Sequence, residues 1–456
     1  MTYSTLIFAS VVLPISVLFL FFDRSTEYKN LILCVTSFLF VTWGINSLAG
    51  LMFLSVFADC FFAIAIENMT KKNDRSRAIV FFIADILMNG FLFLLLARNE
   101  LFEGSEKLSL AKIYIPAGAA FYTLKNFSYV YDVFTARCSA ERNPFRLLTY
   151  GMNYAFLLAG PVVRYKDIEP QLKSRRLTGA LMSRGLKSFA IGFAKTVILL
   201  PVLKKLTDAG LYGEDTSAAA ALVGMLAWFG TAWFGFTGLS DMGTGIACMN
   251  GFDVPLNYER LSPKNLIGGT IRCYNTSMID FFKDIRGVDN KIVGAVLTVI
   301  LAVLGAGFYS STKTMLIIGA IAGVILAAEY MWGYDNIEKL PSALKAVIAF
   351  IAVFLLFSPM AFESFGGWKN WLGELTSFGS LAPAAELKKL LLGNILIVAV
   401  CIIAASPIGK YLSDGLDSLA ARSAKSSAAV NTLKTVCIAV LLAVSYILLA
   451  AEMIAK

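Results

Sequence analysis

Long apolar runs recur along this chain at intervals too short for soluble domains to fold between them, and that spacing limits what the chain can become. The runs sit near 4–22, 31–48, 51–66, 78–97, 113–134, 146–163, 186–204, 217–236, 291–308, 314–332, 343–358, 388–405 and 430–450. A bilayer crossing takes about 20 mostly apolar residues, so the pattern reads as roughly eleven to thirteen crossings, with 113–134 open to a re-entrant reading. Lipid offers the backbone no hydrogen-bond partners, so the spans are expected to be helices. Composition agrees: 57% of the residues are hydrophobic and 16% charged, with a mean hydropathy of +0.70, where a soluble domain is about a quarter charged. The expected fold class is an all-α polytopic membrane protein, with one integral membrane domain over 1–456.

The net charge of +9 comes from short basic loops and not from a nucleic-acid-binding face. Arg24 and Lys29 form one group, and Lys71, Lys72, Arg75 and Arg77 a second. Arg164, Lys166, Lys173, Arg175, Arg176, Arg184 and Lys187 form a third. Positive loops stay cytoplasmic, and the first two groups fit an N-terminus outside a multi-pass cell-membrane protein. The third group fits that orientation if 113–134 is no simple crossing, or if an even number of crossings separates it from the second. The segment 164–190 mixes Leu, Ile and Phe among its basic residues and also suits the membrane interface. The seven cysteines form no CxxC pair, so neither a disulfide framework nor a metal site is indicated. The first run lacks a basic leader and a small-x-small cleavage site, so a retained span is expected there.

Between the long runs, polar residues concentrate from Phe234 to Tyr309. The stretch holds FGFTGLSDMGTGIACMNGF (Phe234–Phe252), GGTIRCYNTSMIDFFKDI (Gly268–Ile285) and GAGFYSS (Gly305–Ser311). Polar groups at membrane depth are costly, and a cluster of them marks a functional site by default. The chain contains no histidine. Asp59 and Asp85 fall inside expected spans, either as helix-packing carboxylates or as the polar lining of a cavity. Within Tyr114–Arg137, the run IPAGAAFYTLKNFSYVYDVFTA interleaves Lys125 and Asp132 with aromatics. It reads equally as an interfacial aromatic belt and as the wall of a substrate tunnel. Gly160–Pro161 breaks a helix just before the third basic group.

Taken together and in order, these pieces resemble the membrane-bound O-acyltransferase family, in its bacterial branch of alginate O-acetylation and teichoic-acid D-alanylation proteins. The matching pieces are YSTLIFASVVLPISVLFLFF, YKNLILCVTSFLFVTWG, AAFYTLKNFSYVYDVF, LLAGPVVRYKDIEPQL, FTGLSDMGTGIACMNGF and NYERLSPKNL. AGPVVRYKD and GLSDMGTGIA are the more specific. The resemblance implies helices around a central tunnel, with an acyl donor (acyl-CoA or an acyl-carrier protein) arriving from the cytoplasm. It implies an acceptor hydroxyl on a cell-surface glycopolymer arriving from the other side, and no bound cofactor. A partner protein of the polysaccharide machinery is a further expected contact.

The family uses an essential histidine in a WHG-like motif, preceded by a His or Asn in an RRWH- or RxWN-like motif. The second motif falls here on RCYN, Arg272–Asn275, so Asn275 takes its polar position. The first falls on Phe308–Tyr309–Ser310, so the histidine is Tyr309. With a pKa near 10, a phenol is only about one part in a thousand ionised at neutral pH. Losing a positioned base typically costs about 10²–10⁴-fold. Three compensations suggest themselves. Lys313, four residues on, would share a helix face with Tyr309 and favour its phenolate. Cys273 beside Arg272 would act as a thiolate. Asp241, with Ser240 in GLSDMG, would act as a buried carboxylate base. Each has a plainer role: Lys313 reaching an interface, Cys273 packing, and Asp241 ordering the pocket. Arg164 completes the expected lining. A carboxylate of the family's YFDFSGYSDM-like run is replaced by Gly235. The expected function is O-acyl transfer with reduced or altered activity. The alternative is a non-catalytic relative serving as a scaffold, and a transporter is a distant third for want of repeat symmetry.

Overall fold

In a computed structural model the described residues are 3–22, 25–43, 49–101, 119–158, 163–213, 217–262, 264–287, 290–309, 312–376, 385–406, 408–421 and 423–455. Among them there is no strand, and the chain is an all-α, multi-pass membrane protein. The first helices are α1 (Leu13–Phe21), α2 (Thr26–Thr42), α3 (Ala49–Lys71), α4 (Arg75–Leu101), α5 (Ala119–Phe134), α6 (Pro144–Gly151) and α7 (Tyr165–Lys173). There follow α8 (Gly179–Ala194), α9 (Leu200–Leu211), α10 (Ala218–Met249), α11 (Ile267–Tyr274), α12 (Thr276–Arg286), α13 (Lys291–Tyr309) and α14 (Lys313–Trp332). The last are α15 (Tyr334–Glu338), α16 (Ser342–Phe357), α17 (Phe365–Thr376), α18 (Ala385–Gly393), α19 (Ile395–Ala405), α20 (Ile408–Ala420) and α21 (Ala424–Ala455).

Seven helices among the described residues are long and apolar enough to cross a membrane, or eight if the bent pair α18–α19 counts as one span. This is below the eleven to thirteen expected, for identifiable reasons. The described part of 146–163 forms no span: α6 has eight residues, and a short 3₁₀ turn, Tyr154–Phe156, follows it. Its start is fixed locally, because Asn143 Oδ1 accepts from the Phe145 and Arg146 amides at 3.0 and 3.4 Å and Pro144 suits the first helical position. The described part of 113–134 is the sixteen-residue α5, which is not among the span-length helices. Phe8–Leu20 and Lys291–Gly307 are apolar but short, and Gly160–Pro161 lies outside the described residues.

The chain divides into two compact units. The first comprises Met1–Phe189, Leu239–Asn257 and Gly307–Lys313, and the second Ala190–Gly238, Tyr258–Ala306 and Thr314–Lys456. In the first, α3, α4 and α5 pack on one another, and α2, α6 and α7 join them. Gly185 of α8 faces Gly245 of α10 so closely that a Cβ on Gly185 would lie 2.7 Å from the Gly245 carbonyl oxygen. In the second unit, Trp371 is buried against Phe354, Met225 and Ala221, and its indole nitrogen donates to the Ala221 carbonyl at 3.0 Å. The segment Ser358–Trp371 thus has its last residue in a core. Gly319 and Gly323 set the approach of α14 to α13: a Cβ on Gly319 would come within 2.6 Å of the Ala306 Cβ. Membrane helices bring backbones together through small residues in this way.

These contacts predict that Gly319→Val destabilises the detergent-solubilised protein by about 1–3 kcal/mol through overpacking. Gly90→Ala, where an added Cβ meets nothing within 4 Å, is expected to leave the unfolding temperature unchanged or raise it. Thermal unfolding of the two variants beside wild type tests this, and equal losses would refute it.

Candidate functional site

The predicted site residues divide between the units. In the first, Ser240 and Asp241 lie near the C-terminal end of the 32-residue α10 and are both buried. GLSDMGTGIA keeps that end of the helix narrow, which lets α8 come close. Ser188 Oγ of α8 donates to the Asp241 carbonyl at 2.9 Å, and Ser240 Oγ accepts from the Asn257 amide at 3.3 Å. The main chain at Asp241 is therefore built into a helix contact.

Tyr309 is the last residue of α13 and is half-buried. Its ring stands edge-on to Phe121 of α5, with centroids 5.9 Å apart. Lys313 does not share a helix face with it. One helix ends at Tyr309 and the next begins at Lys313, so the four-residue spacing carries no helical geometry, and Lys313 is exposed. Arg164 is buried and grips Asp132 of α5 with two parallel bonds, Nε to Oδ2 at 2.9 Å and Nη2 to Oδ1. It tethers the start of α7 to α5.

In the second unit, Arg272 at the end of α11 is held by two carboxylates. Its Nε and Nη2 reach Asp280 of α12 at 2.7 Å each, and its Nη1 reaches Glu259 at 2.7 Å. Burial of Asp280 favours its neutral form, but the Arg272 bonds outweigh this and hold its carboxyl below the usual range. Asn275 is buried and is the N-cap of α12: its Oδ1 accepts from the Met278 amide at 3.2 Å. The asparagine in RCYN thus separates α11 from α12 and lets Arg272 fold back onto Asp280. Cys273 is not an activated thiol. Burial, reinforced by the Glu259 carboxylate, pushes its pKa up. Its sulfur sits between Asn265 Nδ2 at 3.2 Å and the Arg260 carbonyl at 3.6 Å. The packing role is the one the geometry supports.

Sequence reasoning gave less weight to two lysines. Lys125 of α5 is 1% exposed. Its Nζ has no hydrogen-bond partner and stands over the rings of Tyr150 at 5.3 Å and Phe156 at 5.6 Å. Lys195, in the second unit, opens a π-helical turn, Lys195–Leu199. Its Nζ donates to the Tyr258 hydroxyl at 3.0 Å and Thr237 Oγ1 at 3.3 Å. Charged residues inside apolar helices were the available signal for both. Asp59 and Asp85, noted as span carboxylates, meet in the first unit. Asn89 Nδ2 donates to Asp59 Oδ1 at 3.0 Å and Asp85 Oδ1 at 3.3 Å.

No family profile matches the chain. It is similar to the probable alginate O-acetylase AlgI of Pseudomonas aeruginosa, at 26% identity over 448 residues, covering 94% of this chain and 85% of that protein. The probable alginate O-acetylase AlgI of Azotobacter vinelandii is 25% identical over 423 residues, with 88% of this chain and 84% of the relative covered. The peptidoglycan O-acetyltransferase of Helicobacter pylori is 24% identical over 399 residues, covering 77% of this chain and 74% of the relative. Over most of its length, and on an all-helical membrane architecture, the chain is thus similar to bacterial O-acetyltransferases of the membrane-bound O-acyltransferase type.

Proposed function

We propose that the protein transfers an acyl group, acetyl or similar, to a hydroxyl of a cell-surface polysaccharide or related glycopolymer. The observation that carries this reading is the similarity, over most of the chain, to O-acetylases named for two different polymers, alginate and peptidoglycan. The donor is an acyl thioester, either acyl-CoA or an acyl-carrier protein, presented from the cytoplasmic side. The N-terminus lies outside, and the polymer or its modifying partner protein approaches from that face.

In such a transfer the acceptor oxygen attacks the thioester carbonyl, an oxyanion forms, and the C–S bond breaks to give an ester and a thiol. Tyr309, whose phenol stays protonated at neutral pH, suits donation of a hydrogen bond to that oxyanion better than removal of a proton. Donors aimed at developing charge are worth about 10²–10³-fold in rate. Asp241 and Ser240 hold the end of α10 in place, Arg164 does the same for α7, and Asn275 with Arg272 fixes the corner between α11 and α12. These are positioning roles. Taking the acceptor proton falls to a group other than histidine.

Purified protein given labelled acetyl-CoA with alginate or peptidoglycan fragments is expected to form acetyl esters. Tyr309→Phe is expected to lower kcat by about 10²–10³-fold with little change in donor KM. Full activity in Tyr309→Phe would remove Tyr309 from the site. Wild-type protein that binds donor but transfers nothing would instead favour the scaffold reading.

Asn275→Ala is expected to lose about 1 kcal/mol of stability with its cap and to lose transfer. Asn275→Asp, which can still cap, is expected to recover most of both. Failure of Asn275→Asp to recover stability in thermal unfolding would overturn the capping assignment.

A further inference from the structure

Acyl transfer to a hydroxyl needs a proton acceptor, and this chain has no histidine to serve as one. Among the groups of the first unit, Lys125 has the surroundings of a neutral amine. It is 1% exposed, its Nζ has no hydrogen-bond partner, and it stands over the faces of Tyr150 and Phe156. The carboxylates on the elements around α5 are turned to other partners. Asp59 of α3 and Asp85 of α4 meet Asn89, and Asp132 is gripped by Arg164. Glu141 accepts from the Tyr165 hydroxyl of α7 at 2.7 Å. Other titratable groups on these elements, among them the phenols of Tyr122, Tyr129, Tyr150 and Tyr165 and the thiols of Cys60 and Cys138, are neutral near pH 7. No anion therefore holds a proton on Lys125, and burial alone weakens its hold.

Position supports chemistry. Lys125 lies four residues after Phe121 on α5, so the two side chains share a helix face. Phe121 is the ring against which Tyr309 packs, at 5.9 Å. The face of α5 that meets the family's histidine position thus also carries an unpaired buried amine one turn away. A desolvated lysine is a known form of general base, because its compact charge is easily destabilised.

We propose that Lys125 is the general base of the transfer, replacing the missing imidazole. This rests on the acyltransferase reading above. As the acceptor oxygen bonds to the acyl carbon, its proton passes to the Lys125 amine. When the C–S bond breaks, the resulting ammonium gives that proton to the departing thiolate. Alcohol and thioester become ester and thiol, and the amine is restored. The aromatic faces of Tyr150 and Phe156 attract the transient ammonium without pairing with it as a carboxylate would.

The test measures acetyl transfer from labelled acetyl-CoA to alginate or peptidoglycan fragments by the full-length protein in proteoliposomes. Wild type is expected to show a rate that rises with pH through about 7, as the amine is freed. Lys125→Met, apolar and of similar length, is expected to fold with an unchanged or higher unfolding temperature. Its kcat should fall about 10²–10⁴-fold, with donor KM little altered and the rising limb gone. Lys125→Arg keeps the charge, cannot accept the proton, and is expected to fail equally. Small primary amines should restore part of the rate to Lys125→Ala, increasingly as the pH frees them. Wild-type rate and pH profile in folded Lys125→Met would overturn the proposal and leave the acyltransferase reading standing. A flat wild-type profile across the neutral range would do the same without any variant. Wild-type protein that transfers nothing to either acceptor would overturn the acyltransferase reading, and this proposal with it.

Discussion

A polar group in an apolar surround must find its partner within the chain, and in the first unit this requirement decides where the connecting segments go. Arg175, just past α7, donates to Asn30 Oδ1 of α2 at 2.6 Å and to the Asn250 carbonyl at 3.2 Å, while its guanidinium covers the Phe252 ring at 4.4 Å. Asn250 in turn reaches the Tyr154 hydroxyl at 3.2 Å, which also meets Ser16 Oγ at 3.2 Å. One connected set of bonds thus ties α1, α2, the turn after α6, the segment after α7 and the end of α10. The set is not fully satisfied, since Arg175 Nη2 and Asn250 Oδ1 have no hydrogen-bond partner, and an orphaned buried group costs about 1–3 kcal/mol. Such networks still fix geometry more sharply than apolar packing does, and the unit that carries Tyr309, Asp241 and Lys125 is the one built this way.

The second unit relies more on close backbone approach and aromatic packing. Gly319 and Gly323 let α13 and α14 touch, and Trp371 fills a pocket lined by Phe354 and Met225. Its polar centre is compact: Arg272 between Glu259 and Asp280, with Asn275 at the corner. An arginine with both ends of its fork occupied holds two helices in register, and little of its charge remains to attract a ligand.

What the sequence revealed follows from which forces are local. The long apolar runs at 51–66, 78–97, 314–332 and 343–358 declare themselves, because membrane crossing depends on length and hydropathy alone. The cap at Asn275 is also local, a side chain bonding three residues on, but RCYN reads in the sequence only as a motif and not as a helix start. The run at 146–163 misleads because α6 is apolar for burial in protein and not for exposure to lipid, and composition alone does not separate the two. The Tyr309–Lys313 pairing assumed a continuous helix that in fact stops between them. Lys125 was visible as a charge among aromatics, but its isolation was not. Isolation depends on where the surrounding carboxylates point, and for Asp59, Asp132 and Glu141 those directions are set by Asn89, Arg164 and Tyr165, 30, 32 and 24 positions away.

The bend between α18 and α19 bears on how the polypeptide is threaded. The two helices meet at 70°, and the junction is sealed: Asn394 Nδ2 donates to the Leu390 carbonyl at 2.9 Å, and its own amide donates to that of Leu391 at 3.2 Å. Both bonds run back into α18 and close its end at the corner. Beyond it, the eleven residues of α19 rise about 16 Å, roughly half the hydrocarbon thickness of a bilayer. An arm of that reach does not cross a bilayer by itself: the pair either spans as one broken helix or dips and returns, and the two arrangements start α21 from opposite sides.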